Sequence, residues 1–106
     1  MTEDPFDGLM AALDPPLIVL TTVAEDEPAG CLVGFHGQAS IDPARYCLFL
    51  SKANHTYRVS LRADHLAAHF LTTADLPLAE RFGTRSGAGK FAGLDVRPDE
   101  HGVPIL

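Results

Sequence analysis

A short polar loop, residues 51–56, carries the side chains best suited to binding an anion. It supplies two hydroxyls, an amide, an imidazole and one ammonium, from Ser51, Lys52, Asn54, His55 and Thr56. We predict that the loop lies between a buried strand and the start of a helix, where free backbone amides and a partial positive charge favour a phosphate. An ordinary capping loop, in which Asn54 or Thr56 serves only the helix, explains the same residues equally well. Spacing alone leaves both interpretations open.

A second segment, residues 34–40, is suited to contact with a flat ring. Gly34 and Gly37 lie in it beside an aromatic residue and several hydrogen-bond donors. Because glycine has no side chain, it allows backbone amides to approach a planar heteroaromatic ligand closely. The alternative interpretation is a strand end with a glycine bulge.

A third pattern, residues 84–91, superficially resembles a phosphate-binding P-loop. Its first position is Thr84 instead of glycine, and Lys90 is followed by Phe91, which has no hydroxyl to hold magnesium. The segment also follows a predicted helix instead of a strand. We therefore predict a mobile loop and no nucleoside triphosphate site.

The histidines and cysteines point to structural roles. His65 and His69 have the spacing of a zinc-binding pair, but the glutamate of a metalloprotease helix is missing and no third ligand is nearby. We predict that they lie at a strand and that His69 is a hydrogen-bonded structural residue. Cys31 and Cys47 lie in apolar runs, so we expect buried, free and unreactive thiols in a reducing compartment.

The elements that would position these segments are mainly strands, with short helices between them. Hydropathy and turn residues predict strands over residues 17–23, 29–35, 46–50, 66–71 and 103–106, and helices over 5–13, 54–62 and 75–83. The first two strands are joined by an acidic turn, residues 24–28, that is too short for a parallel crossover, so they form an antiparallel hairpin. The strand over 46–50 is nearly all apolar, which predicts a central position.

Composition narrows the class of protein. The 106 residues suit a single domain spanning residues 1–106, and the net charge of −6 disfavours nucleic acid and anionic membranes as partners. No apolar run reaches the roughly 18 residues of a membrane-spanning helix, and we see no secretory signal. We therefore expect a cytoplasmic protein.

Several of these segments resemble, in order, the FMN-binding split-barrel family of flavin reductase-like proteins. The resemblance rests on residues 31–43, 46–50 and 51–56, then on the strand over 66–71, the helix over 75–83 and the turn Gly89-Lys90-Phe91. It covers most of the chain from Leu17 onward and implies a split β-barrel. The family usually has Asp where this chain has Gly89. Family domains also continue for several strands past the position of Leu106, so we expect an incomplete barrel.

The resemblance implies which residues hold the flavin. The segment after the second strand would line the flavin ring, with Val33, Gly34, Phe35, His36, Gly37, Gln38, Ala39 and Ser40. The loop after the next strand would hold the ribityl chain and phosphate, with Ser51, Lys52, Asn54, His55 and Thr56. His36 and Gln38 are candidates for tuning the flavin edge. No side chain is predicted to be a catalytic acid, base or nucleophile, and none to bind a metal.

The function implied is that of an FMN-binding oxidoreductase that transfers hydride from NADH or NADPH to flavin. The alternative is a non-catalytic flavin-binding protein, or a truncated split-barrel protein that binds nothing. The family also implies a homodimer with each flavin at the subunit boundary. Four or five strands cannot close a barrel, so apolar edges such as residues 17–23 or 46–50 would need covering.

Overall fold

The computed structural model describes residues 5–13, 16–85 and 87–106. Within these ranges the helices are α1 (Pro5–Leu13), α2 (His55–Ser60) and α3 (Leu76–Thr84). The strands are β1 (Ile18–Ala24), β2 (Glu27–Val33), β3 (His36–Ile41), β4 (Ala44–Leu48), β5 (Leu66–Phe70), β6 (Arg97–Pro98) and β7 (Pro104–Ile105). None of the helices described is long and apolar enough to cross a membrane.

The main sheet has the strand order β2-β1-β5, and both pairs are antiparallel. The predicted hairpin of β1 and β2 is confirmed, with Ala24 paired to Glu27 across its tip. Its turn consists of two residues, shorter than the five expected. Glu25 and Asp26 both have positive φ angles, 52° and 64°, as a two-residue turn requires if it is to match the right-handed strand twist. The acidic tip is therefore a tight turn at the surface.

Strand β1 forms the centre of the core and is covered on both faces. Ile18 and Leu20 pack on one face against Cys31 and Val33 of β2, with Leu48 of β4 added at the margin. This arrangement explains the β-branched composition of β1, because a strand buried on both faces needs apolar side chains at successive positions. Because β1 is paired on both sides, it is not the open edge that the sequence suggested.

Helix α3 covers the opposite face of the main sheet. Phe82 is buried and lies against Gly30, where an added Cβ would be 2.7 Å from the Phe82 ring. The C-terminal strands contribute to the same face, since the Thr21 hydroxyl donates a 2.6 Å hydrogen bond to the carbonyl of Pro104. Gly30 thus allows the close approach of helix and sheet that closes the core here.

The second sheet is a two-stranded hairpin of β3 and β4, and it differs most from the sequence-based expectation. Residues 36–41 form a strand instead of a loop, with a register irregularity between Gln38 and Ser40. The strand expected at 46–50 begins at Ala44, pairs with β3 alone among the described strands and is largely exposed, so its predicted central position is wrong. Cys47 is consequently exposed, whereas Cys31 is buried as predicted, and both thiols are free. Apolar content alone could not show that β4 has only one neighbouring strand.

The segment that resembled a P-loop is also different from the prediction. Thr84 ends α3, and residues 87–90 form a short 3₁₀ helix in place of a mobile loop, while residue 86 lies outside the described ranges. Lys90 is only 7% exposed, and its ammonium donates a 2.6 Å hydrogen bond to the carbonyl of Gly30. Burial lowers the pKa of Lys90. A lysine that secures the core in this way does not bind a nucleoside triphosphate.

His69 is confirmed as a hydrogen-bonded structural residue. Its Nδ1 lies 3.0 Å from the carbonyl of Val19, and its Nε2 accepts a 3.3 Å hydrogen bond from the backbone amide of Leu106. A carbonyl can only accept, so Nδ1 carries the proton. The side chain therefore joins β1 to the end of β7.

Candidate functional site

The two segments predicted to hold the flavin meet at one end of the β3–β4 hairpin. His36 pairs with Leu48 in the hairpin, and beyond that pair the amide of Phe49 donates a 3.0 Å hydrogen bond to the carbonyl of Phe35. The start of the ring segment therefore lies beside the start of the polar loop, residues 51–56. Ser40 pairs with Arg45 at the other end of β3, about 13 Å farther along the strand. The structure thus brings together the loop and residues 33–37, but not Ala39 and Ser40.

The glycines of the ring segment border open space. A Cβ added at Gly34 or Gly37 would have no heavy atom within 4 Å. Phe35 between them is 79% exposed, whereas Val33 points into the core and is buried. The irregularity in the β3–β4 pairing falls at Ala39, so the glycines are not there to form a bulge. The backbone at Gly34 and Gly37 is therefore accessible to a flat ligand.

The polar side chains of the same segment already have partners inside the chain. Gln38 donates to the carbonyl of Ser40 at 3.2 Å, and the Ser40 hydroxyl donates to the carbonyl of Pro43 at 2.5 Å. His36 uses both ring nitrogens, one with the Tyr46 hydroxyl and one with the carbonyl of Pro16. These side chains orient the hairpin, and each would have to give up a contact to meet a ligand.

In the structure the polar loop caps a helix, as the second of its two interpretations predicts. Asn54 is the N-cap of α2, and its side-chain oxygen accepts a 2.9 Å hydrogen bond from the amide of Thr56. A cap of this kind contributes about 1 kcal/mol to stability. Ser51 is also used locally, since its hydroxyl accepts a 3.3 Å hydrogen bond from the amide of Ala53. Helix α2 has only six residues, so it adds little dipole of its own.

Lys52 is the member of the loop with an available charge. Its side chain is exposed and makes no hydrogen bond or ion pair with any of the residues the structure describes. Ordinary solvation of the ammonium is the state expected of a surface lysine, but the same freedom makes it available to an anion. Lys52 is thus the strongest anion-binding candidate among the predicted residues.

His55 is directed to a carboxylate instead of to the loop surface. Its Nε2 lies 2.9 Å from Glu27, which also accepts a 3.0 Å hydrogen bond from Arg62; Arg62 in turn reaches Glu25 at 2.8 Å. The hydrogen bond from Arg62 holds the pKa of Glu27 below its usual value, and His55 acts in the same direction. This network joins α2 and the residues after it to the β1–β2 turn.

Thr56 lies inside the protein. It is 1% exposed, and its side chain lies beside the Cys31 thiol. Burial raises the pKa of Cys31, while Thr56 and the ammonium of Lys90 act against that shift. A buried thiol with a raised pKa is a poor nucleophile. Thr56 therefore helps to seat α2 on β2, and its hydroxyl does not face the surface where Lys52 lies.

The turn Gly89-Lys90-Phe91 has a structural role. Arg81 of α3 donates to the carbonyl of Ala92, and the ring of Phe91 packs edge-on against Phe82 with centroids 5.4 Å apart. Together with the buried Lys90, these contacts fasten the turn to α3 and β2. Sequence comparison by pattern alone identified the turn but not this role.

Tyr46 and Phe70 are the residues at the site that sequence reasoning missed. Both lie against His36, and the three rings are within 6.2 Å of one another by centroid. The sequence could have pointed to Tyr46, because His36 and Tyr46 lie on either side of the predicted turn residues. Their contact, however, depends on the register of β3 against β4.

Comparison with known proteins identifies the class to which this fold and site belong. The family model of the flavin reductase like domain matches residues 10–106, so the chain belongs to that family. Its fold is an incomplete split barrel, since the three sheets described do not close on one another. The predicted family and fold class are therefore confirmed.

Individual relatives fit this assignment. The chain is 29% identical over 101 residues to the reductase subunit HsaB of a flavin-dependent monooxygenase from Mycobacterium tuberculosis, a match that covers 95% of this chain and 54% of HsaB. Among solved structures, nitrilotriacetate monooxygenase component B from Mycobacterium thermoresistibile is 28% identical, with a TM-score of 0.76 over 85% of this chain and 50% of that one. The chain thus spans about half the length of these relatives.

A more distant structure agrees in fold. The FMN-binding protein of Thermus thermophilus, solved with bound 1-cyclohex-2-enone, is 21% identical and superimposes with a TM-score of 0.80 over 100% of this chain and 60% of that chain. At this identity the likeness concerns the fold alone.

Proposed function

We propose that this chain binds FMN and serves as a flavin reductase-like oxidoreductase, with NADH or NADPH as the hydride source. The observation that carries the proposal is the pairing of β3 with β4, because it brings the open backbone at Gly34 and Gly37 and the free ammonium of Lys52 to the same end of one hairpin. Family membership and the names of the relatives support flavin as the ligand.

The residues present fit a flavin mononucleotide. Open space at Gly34 and Gly37 leaves room for a planar ring, and the exposed Phe35 adds an aromatic surface beside it. Lys52 would neutralise part of the phosphate charge through a charge-assisted hydrogen bond. Ser51 and His55 would join it by exchanging their internal partners for the phosphate, whereas Val33, Asn54 and Thr56 would shape the site without a free side chain. Gln38, Ala39 and Ser40 lie in the far part of β3, so they would border only the end of the ring that is away from the loop.

The chain's own residues would bind and orient; they need not supply an acid or base. When bound, FMN supplies the redox chemistry, by accepting hydride from the nicotinamide. His36 has both ring nitrogens in internal hydrogen bonds, so it would hold β3 in place instead of exchanging a proton with the ligand. Orientation of this kind lowers the barrier by placing the reacting groups together in advance.

The proposal of a reductase is tested by anaerobic reduction. Protein loaded with FMN is mixed with NADH or NADPH in the absence of oxygen, and the visible flavin band is followed against free FMN at the same concentration. We expect the band to bleach faster with the protein. If FMN stays bound and the band does not bleach with either nucleotide, the chain is a non-catalytic flavin-binding protein instead.

We also propose that the functional unit is a homodimer. Among the described residues the β3–β4 hairpin has unpaired edges, and large apolar side chains are exposed at both of its ends: Phe35 and Phe49 at one, 79% and 65% exposed, and Ile41 at the other, 84% exposed. Unpaired strand edges and exposed apolar side chains favour a protein contact. A second copy of the chain would cover them and would lie next to the proposed flavin site, which is at the same hairpin.

A further inference from the structure

A surface cluster of three rings joins parts of the fold that share no strand pairing. We call it the aromatic cluster: His36 at the start of β3, Tyr46 in β4 and Phe70 at the end of β5. His36 and Tyr46 are stacked, with centroids 5.8 Å apart, and Phe70 meets both edge-on at 6.2 and 5.9 Å. Edge-to-face and offset-stacked pairs at these separations are favourable beyond the area they bury. The cluster therefore links the β3–β4 hairpin to the main sheet.

Two hydrogen bonds of His36 fix how the aromatic cluster is oriented. His36 Nε2 lies 2.5 Å from the carbonyl of Pro16, and His36 Nδ1 lies 2.6 Å from the Tyr46 hydroxyl. The carbonyl can only accept, so Nε2 carries the proton and donates to it. In the neutral ring, Nδ1 then accepts from the Tyr46 hydroxyl. One chain of hydrogen bonds thus runs from Tyr46 through His36 to the segment before β1.

Burial does not account for this arrangement. Tyr46 and Phe70 are 45% and 56% exposed, so the rings gain less from the hydrophobic effect than core residues do. Leu48 already packs the hairpin against the core of β1 and β2. Apolar packing is not directional, however, whereas the hydrogen bonds of His36 restrict how the hairpin is rotated on the sheet.

The residues restrained are those proposed to meet the flavin. His36 follows Gly34 and Phe35 directly and precedes Gly37, whose backbone borders open space. A shift of His36 would move both glycines. Binding of a rigid planar ligand depends on preorganisation of this kind, because a loose segment must be ordered when the ligand binds.

We propose that Tyr46 is a positioning residue for the flavin site: its hydroxyl, acting through His36, holds the start of β3 in the orientation that receives the flavin ring. This inference rests on the proposed function. The effect of the Tyr46 hydroxyl passes through the His36 ring, its hydrogen-bond partner.

Removing a single hydroxyl group tests the inference. FMN is titrated into wild-type protein and into Tyr46→Phe, which keeps the ring but not the hydrogen bond. We expect Tyr46→Phe to bind FMN about fivefold more weakly, as for the loss of one hydrogen bond. Tyr57→Phe is the matched control, because the Tyr57 hydroxyl has no hydrogen-bond partner among the described residues; its affinity should equal that of wild type. Equal affinities for all three proteins would overturn the inference.

A second variant separates positioning from a general loss of stability. In a His36→Phe background, the substitution Tyr46→Phe should have no further effect on FMN affinity, because the hydroxyl acts only through His36. The absorption band of bound FMN should differ between wild type and Tyr46→Phe when both are saturated. Additive effects of the two substitutions, or an unchanged band, would contradict a positioning role.

Failure of the proposed function can be told apart from failure of the inference. If wild-type protein does not bind FMN, the proposed function is wrong, and the restraint on β3 is then tested without ligand. Amide hydrogen exchange at residues 36–38 should be faster in Tyr46→Phe than in Tyr57→Phe. Equal exchange in the two variants would overturn the inference.

Discussion

Lys52 differs from the other predicted phosphate residues because none of the residues that the structure describes pairs with its charge. We expect Lys52→Ala to weaken FMN binding about tenfold or more, since a hydrogen bond to a charged group contributes roughly 1.5 to 3 kcal/mol. Fluorescence titration measures the dissociation constant. Arg97→Ala removes the same charge from exposed β6 and serves as the control. If the two variants bind FMN alike, the phosphate assignment to Lys52 is wrong.

The polar loop shows what sequence could and could not reveal at the scale of residues. Residue types were enough to predict a polar loop that ends in a helix cap, and Asn54 confirms the cap, although His55 and Thr56 already belong to α2. The partners of His55 and Thr56 could not be predicted, because Glu27 and Cys31 are distant in sequence and reach them only through the packing of α2 on β2. Composition therefore predicted where the polar groups lie along the chain, but not which of them already have partners inside it.

Gly30 is the point where α3 and the main sheet come closest. Gly30→Ala would bring its Cβ within 2.7 Å of the Phe82 ring and 3.0 Å of the carbonyl of Leu20. We expect it to lower the free energy of unfolding by about 1 to 3 kcal/mol, the usual cost of overpacking. Urea unfolding measures the change.

Gly37→Ala is the matched substitution, because its Cβ would meet no heavy atom within 4 Å. Its free energy of unfolding should stay within about 0.5 kcal/mol of wild type. Should Gly30→Ala prove as stable as Gly37→Ala, the close packing of α3 on β2 would be incorrect.

The turn between β6 and β7 depends on one carboxylate. Asp99 accepts hydrogen bonds from the amides of His101 and Val103, at 2.8 and 2.9 Å, and the bond from Val103 is the main reason that the pKa of Asp99 is lowered. A lowered pKa in the folded state means that the stabilisation is fully present above the ordinary value of 3.8 and is lost as pH falls through the lowered value.

We therefore expect the amide proton signals of His101 and Val103 to keep their hydrogen-bonded shifts below pH 3.8 and to lose them together in more acidic solution. Asp99→Asn keeps an acceptor oxygen but does not titrate, so its signals should not show this acid transition. A transition at or above the ordinary pKa in wild type would contradict the hydrogen bonds to Asp99.

At the scale of elements, the sequence predicted those strands whose patterns were strong. The β-branched run of β1 and the acidic turn after it were enough to predict the first hairpin. Strand β3 was missed because its residues, among them Gly37, Gln38 and Ser40, are typical of loops and only its pairing with β4 makes it a strand. The position of β4 in the fold depends on which strands pair with it, and its composition does not show that.

The exposed apolar side chains of the β3–β4 hairpin predict that two copies of the chain associate. We expect light scattering at micromolar concentration to give a mass close to twice the 11.4 kDa of one chain. The net charge of −6 opposes this only weakly, because physiological salt screens charges beyond roughly 8 Å. A mass of one chain over this range would exclude the dimer and any flavin site that needs two chains.

Binding of FMN at the end of the β3–β4 hairpin is tested by titrating the purified protein with FMN and following the visible absorption. We predict a saturable change in the flavin band that ends at one FMN per chain and is weakened by Lys52→Ala. A flavin spectrum identical to that of free FMN at every protein concentration would contradict binding there.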